Sequence, residues 1–105
     1  MVLCLEDKKG EDIILLDIQK ISAFTDYFII CSGTSERMLH SLMHAILDEA
    51  KSKYNLTGSV EGIADSGWIA IDLMDIVIHL FSPQQRAYYQ LEELWKNGKV
   101  ILRVK

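Results

Sequence analysis

The sequence predicts an α/β domain: a mixed β-sheet with helices packed on it. Three observations lead there. Residues 12 to 18, DIILLDI, and 26 to 32, DYFIICS, are continuous apolar runs of strand length, the pattern of strands buried on both faces. Residues 68 to 81, WIAIDLMDIVIHLF, fold on paper into a hairpin whose two faces differ in kind. Two further segments, one starting near Ser35 and one at Ser82, combine helical spacing of apolar residues with capping signals. Strands and helices mixed in this order bury their apolar faces by packing in layers.

Few residues precede Asp12, and Cys4 among them has the context of a first turn. After the first apolar run, Gln19 to Thr25 is polar enough for a loop or a short crossing segment. Ser32-Gly33-Thr34-Ser35 ends the second run, which holds Cys31, and offers caps for a helix from about Ser35 to Tyr54. Leu39, Leu42, Met43, Ile46, Leu47 and Ala50 form its single buried stripe. Asn55 to Gly67, with Gly58, Gly62 and Gly67, reads as coil leading into the hairpin. In the last helix Ser82 caps, Pro83 suits the first position and Gln85 completes a capping box. Its apolar stripe is Ala87, Tyr88, Leu91, Leu94 and Trp95, with Gly98 as a stop signal. On this spacing Arg86 and Tyr89 are exposed. No internal repeat or linker interrupts a single domain over residues 1–105.

A two-residue turn at Met74 and Asp75 sets the hairpin register. Leu73 then faces Ile76, Ile71 faces Ile78 and Ile69 faces Leu80 on a purely aliphatic side. The opposite side pairs Trp68 with Phe81, Ala70 with His79 and Asp72 with Val77. A face mixing large rings with an acid and an imidazole is either covered by helices of the same chain or docks a partner.

The chain has 105 residues, half of them hydrophobic, with one proline and six glycines. That length supports a core without a metal or a disulfide. The longest apolar stretches are strand length, well short of the roughly 20 residues that span a bilayer. Met1 to Gly10 lacks a signal-peptide core, so a cytoplasmic protein is expected, with no membrane partner. Cys4 and Cys31 match no metal or redox spacing and read as reduced structural thiols. The net charge is −4, and the Lys and Arg residues are scattered among acids. The basic stripe that phosphate-led binding needs is absent, which argues against DNA or bare RNA and for a basic protein partner.

Candidate chemistry is sparse. Asp72 and Asp75 are three apart with a turn between, whereas a two-metal site wants carboxylates two apart on one strand face. Ser32 to Ser35 could bind phosphate at a helix N-terminus, but no P-loop lysine or dinucleotide fingerprint accompanies it, and capping accounts for these residues. His40 and His44 have a metal-ligand spacing, yet Ser41 stands where a metalloprotease has glutamate, and no third ligand is evident. His79 shares its face with Trp68, Phe81 and Asp72. It is either a buried structural histidine or a contact residue that Asp72 orients. Neither cysteine has a neighbouring base, and no serine sits in an elbow motif. The expectation is a protein that is not an enzyme, with no catalytic residues, metal or cofactor.

One set of motifs sharpens this reading. Asp26-Tyr27-Phe28-Ile29-Ile30, Ser32-Gly33-Thr34-Ser35 with Arg37, Glu61-Gly62, Trp68 and Ile71-Asp72 come first in the chain. Asp75 to Phe81, Arg86, Tyr89-Gln90-Leu91-Glu92 and Leu94-Trp95 follow. In order and spacing they resemble the iojap or ribosomal silencing factor family from about Leu5 to Gly98. The resemblance implies a nucleotidyltransferase-like fold without the catalytic carboxylates. It also implies binding to ribosomal protein fourteen of the large subunit, steric blocking of small-subunit joining, and repression of translation under nutrient limitation. Carried over by position, the docking residues are Trp68, Ala70, Asp72, Met74, Asp75 and His79. Three departures stand out: Met74 where the family often has glycine, which would allow a wider turn; Cys31 where alanine is usual; and the curtailed N-terminal helix. An exposed apolar face could also support a homodimer. The alternatives are an assembly or self-associating module and, as an enzyme, a nucleotidyltransferase using Ser32 to Ser35 with Asp72.

Overall fold

The computed structural model describes residues 2–94 and 97–104. Helix α1 (Val2–Asp7) precedes β1 (Glu11–Asp17) and β2 (Tyr27–Ser32), and α2 (Glu36–Tyr54) crosses to β3 (Ser59–Ile63). After one 3-10 turn (Ala64–Ser66) come β4 (Trp68–Asp72), β5 (Ile76–Phe81), α3 (Pro83–Tyr89), α4 (Leu91–Leu94) and β6 (Lys99–Val104). The six strands form one sheet in the order β3-β4-β5-β2-β1-β6. Only β2 and β5 pair in parallel; every other pair is antiparallel, so the sheet is mixed.

The two continuous apolar runs are the strands they predict, and both faces of each are buried. Ile13, Ile29 and Cys31 join Leu39, Leu42, Ile46 and Ala50 of α2 in one core. Ile14, Leu16, Phe28 and Ile30 point the other way, into a second core with Ile18, Phe81 and Leu91. A strand between two cores has no polar side, which is why alternation is missing from its sequence. Helix α2 has the expected limits. Ser35 Oγ accepts from the Met38 N–H at 3.1 Å, and Asn55 closes the helix in the left-handed conformation at φ 55°. Cys31 is fully buried, and desolvation pushes its thiol up to about 12.

Three expectations are corrected. The supposed coil of Asn55 to Gly67 contains an edge strand, β3, whose side chains are all exposed. With no buried face it carries no alternating signal, and it exists because its backbone pairs with β4. Its Gly62 sits at φ 85°, and a Cβ there would collide with the Trp68 carbonyl oxygen. Past Gly98, Lys99–Val104 form a second edge strand, paired with β1, where no element was expected.

The third correction concerns the terminal helix. Ser82 caps it as expected, Oγ accepting from the Gln85 N–H at 3.3 Å, but it breaks at Gln90, φ 47°. Helical spacing therefore does not carry from Tyr88 to Leu91. Leu91 is buried, while Ala87 and Tyr88 are exposed. Arg86, expected in solvent, is buried instead: its Nη1 donates to the Asp12 carbonyl at 2.6 Å and to Ser32 Oγ at 2.9 Å. Polar groups at the ends of β1 and β2 draw the guanidinium inward, an effect no apolar periodicity foretells. Trp95 and the side chain of Leu94, assigned to the same stripe, lie outside the described residues. No helix among the described residues is long and apolar enough to cross a membrane.

Candidate docking face

The β4–β5 hairpin has the register read from its sequence: Trp68 opposite Phe81, Ile69 opposite Leu80, Ala70 opposite His79, Ile71 opposite Ile78 and Asp72 opposite Val77. Its aliphatic side, Ile69, Ile71, Leu73, Ile78 and Leu80, is buried against α2. The mixed side is divided. Phe81 is fully buried, and Trp68 spans the gap to α3, with ring centroids 5.0 Å from Phe81 and 4.6 Å from Tyr89. Beyond Trp68 the cover stops. Ala70 and Val77 are half-buried and Asp72 is exposed.

The uncovered part is a groove of about 360 Å³ lined by Phe24, Phe28, Trp68, Ala70, Val77 and His79, with Glu61 and Asp72 on its rim. A second depression of about 270 Å³, lined by Glu61, Ala70, Gln85 and Tyr89, flanks Trp68 on the α3 side. The two share Glu61, Trp68 and Ala70, so the open face runs past both sides of the indole.

His79 forms the floor and is 7% exposed. The Trp68 indole N–H donates to its Nδ1 at 3.1 Å, and its ring meets Phe28 edge-on at 4.8 Å. An accepting Nδ1 fixes the neutral tautomer, with the proton on Nε2. Burial lowers the imidazole pKa to about 4 and keeps the floor uncharged. Nε2 is buried without a hydrogen-bond partner among the described residues. Trp68, rather than the expected Asp72, orients the ring. Asp72 Oδ1 instead accepts from the Met74 N–H at 2.8 Å and stabilises the turn.

That turn keeps its two-residue length. Leu73 N–H donates to the Ile76 carbonyl at 2.9 Å, and Asp75 N–H donates to the Leu73 carbonyl at 3.1 Å. Met74 holds φ 77°, a conformation glycine adopts freely and other residues adopt at a cost of about 1 kcal/mol. The Asp75 carbonyl ties the tip to the second strand by accepting from the Asp26 and Tyr27 N–H groups at 2.9 and 3.1 Å.

Of the residues named from sequence, Trp68, Ala70, Asp72 and His79 therefore meet at the groove. Met74 and Asp75 are exposed at the tip of the same hairpin, outside it. Several groove residues are not among the site residues named from sequence, including Phe28, Val77, Glu61 and Phe24. Glu61 reaches the rim because β3 pairs it with Ala70, and that strand was missed. Phe24 lies in the loop before β2 and is 94% exposed; a lone aromatic in a polar segment was its only signal. His40 and His44 stack at 6.1 Å on the outer side of α2. Among the described residues no group of three or more His, Cys, Asp or Glu is placed to hold a metal.

The family described as "Ribosomal silencing factor during starvation" matches residues 1–105. The Bacillus subtilis protein named "Ribosomal silencing factor RsfS" is 39% identical over 93 residues, 89% of this chain and 79% of the relative. A mouse protein named "Mitochondrial assembly of ribosomal large subunit protein 1" is 34% identical over 98 residues, 90% of this chain and 43% of the relative. The crystal structure of a Chromobacterium violaceum protein superposes with TM-score 0.85 at 30% identity, covering 99% of this chain and 86% of that one. The chain belongs to the ribosomal silencing factor, or iojap-like, family.

Proposed function

We propose that this chain is a non-catalytic, cytoplasmic repressor of translation. As one domain, it binds ribosomal protein fourteen of the large ribosomal subunit and sterically blocks joining of the small subunit under nutrient limitation. The docking surface is the open mixed face of the hairpin, with Trp68, Ala70 and His79 at its centre, Asp72 on its rim and Met74 and Asp75 at its tip. The observation that carries this reading is the abrupt end of helical cover at Trp68, which leaves an aromatic groove with an acidic rim. Apolar centres ringed by polar residues are the usual anatomy of protein interfaces, and acidic rims suit basic partners.

Co-sedimentation with isolated ribosomal subunits tests it. The chain should travel with the large subunit alone, and Trp68→Ala should weaken that binding by more than about 1 kcal/mol. A folded Trp68→Ala protein with unchanged affinity removes Trp68 from the interface. Failure to bind either subunit overturns the silencing reading.

The mouse relative's name favours a second reading, a role in assembly of the large subunit. Preferential association with immature particles over mature subunits would support it. Self-association through the same open face would compete with either role and would appear as concentration-dependent gel filtration.

A further inference from the structure

The groove beside Trp68 has an unusual composition for an interface pocket. Its walls are aromatic, its rim holds two carboxylates, and among the described residues neither Lys nor Arg lines it. Glu61 stands opposite Ala70 and Asp72 opposite Ser59, so the two acids are diagonal neighbours on one face of adjacent strands. Such neighbours are about 7–8 Å apart, a span one branched cation can bridge. Asp72 is already ordered by the Met74 N–H at 2.8 Å, and Glu61 has no cationic partner among the described residues.

Phe24 is the second observation. Ser22 Oγ accepts from the Phe24 and Thr25 N–H groups at 3.2 and 3.3 Å, which orders the loop backbone at Phe24, and Phe24 is 94% exposed. Nothing in the core uses this side chain. The third is His79: it is more than nine-tenths buried, lines the groove, and has an Nε2 with no partner among the described residues.

We propose that the groove between Phe24 and Trp68 is a receptor for one arginine side chain of the docking partner. Its guanidinium lies against the aromatic rings and bonds to Glu61 and Asp72. Arginine fits better than lysine because its flat, weakly hydrated head stacks on rings and presents five donors to two carboxylates. A phosphate is the wrong ligand for a rim of two acids. The identity of the molecule that delivers the arginine rests on the docking reading; the receptor itself does not.

Two measurements separate the two ideas. In the first, large-subunit binding is compared for the wild type, Trp68→Ala, Phe24→Ala and the pair Glu61→Gln with Asp72→Asn. Phe24 and Glu61 are exposed, so their replacement spares the core. The receptor predicts a loss of at least fivefold for Phe24→Ala and for the acid pair. If Trp68→Ala weakens binding while the others stay within twofold, docking stands and the receptor is overturned. In the second, isotope-labelled protein is titrated with acetyl-Gly-Arg-Gly-amide and with its neutral citrulline counterpart, following the Trp68 indole N–H by NMR. The arginine peptide should give a saturable shift, at least fivefold weaker for citrulline and lost in the Glu61→Gln, Asp72→Asn protein. Equal responses to both peptides, or none to arginine, overturn the receptor whether or not the chain binds ribosomes.

Discussion

Burial of His79 makes the stability of the fold depend on pH. The folded protein holds this imidazole at about 4, against about 6.5 for an exposed histidine. As pH falls through 6.5 the unfolded chain takes up a proton that the folded protein refuses until about 4. The unfolded state then binds more protons, so stability is complete above about 6.5 and is lost as pH drops toward 4. At about 1.4 kcal/mol per pH unit the whole window is worth about 3 kcal/mol, of which about 2 falls between pH 7 and pH 5. Carboxylates contribute their own slope, so the measurement needs a reference. His79→Asn supplies it: the amide oxygen takes the place of Nδ1 as acceptor for the Trp68 indole and does not titrate. Urea unfolding at pH 7, 6 and 5 should show the wild type losing about 2 kcal/mol more than the variant over that range. Parallel profiles, or an NMR titration placing His79 near 6.5, would refute the reasoning.

Other substitutions probe the frame around the site. Arg86→Met should cost about 3 kcal/mol in chemical denaturation, because two charge-assisted bonds of about 1.5–3 kcal/mol each vanish and Ser32 is left buried without its donor. A loss under 1 kcal/mol would mean that the guanidinium's burial nearly cancels its bonds. Gly62→Ala should destabilise by more than about 1 kcal/mol, since the backbone is at φ 85° and the new methyl meets the Trp68 carbonyl. Hydrogen exchange should quicken first in β3; uniform protection would contradict this. Cys31, its thiol pushed up to about 12 by burial, should resist a thiol reagent near pH 8 while half-buried Cys4 reacts, and equal rates would argue against that environment.

The sequence by itself determined the elements whose signals are local. Ser35 and Ser82 cap helices through bonds spanning three residues. The hairpin register from Trp68 to Phe81 follows from a short turn and a period of two, and it held even with Met74 in a conformation glycine prefers. The apolar runs of β1 and β2 announced two cores because a strand buried on both sides cannot afford polar positions. Only the tertiary structure decided the rest. Strands β3 and β6 are held chiefly by backbone pairing with strands already in place, and edge strands with exposed side chains leave little periodic trace in composition. Arg86 is buried because Asp12, 74 residues earlier, brings a carbonyl to it. Glu61 and Phe24 reach the groove from opposite flanks of the hairpin, one through strand pairing and one through the loop before β2. Half of the candidate site was legible because it lies along one hairpin. The other half is assembled by contacts between segments far apart in the chain, which no local pattern of residues records.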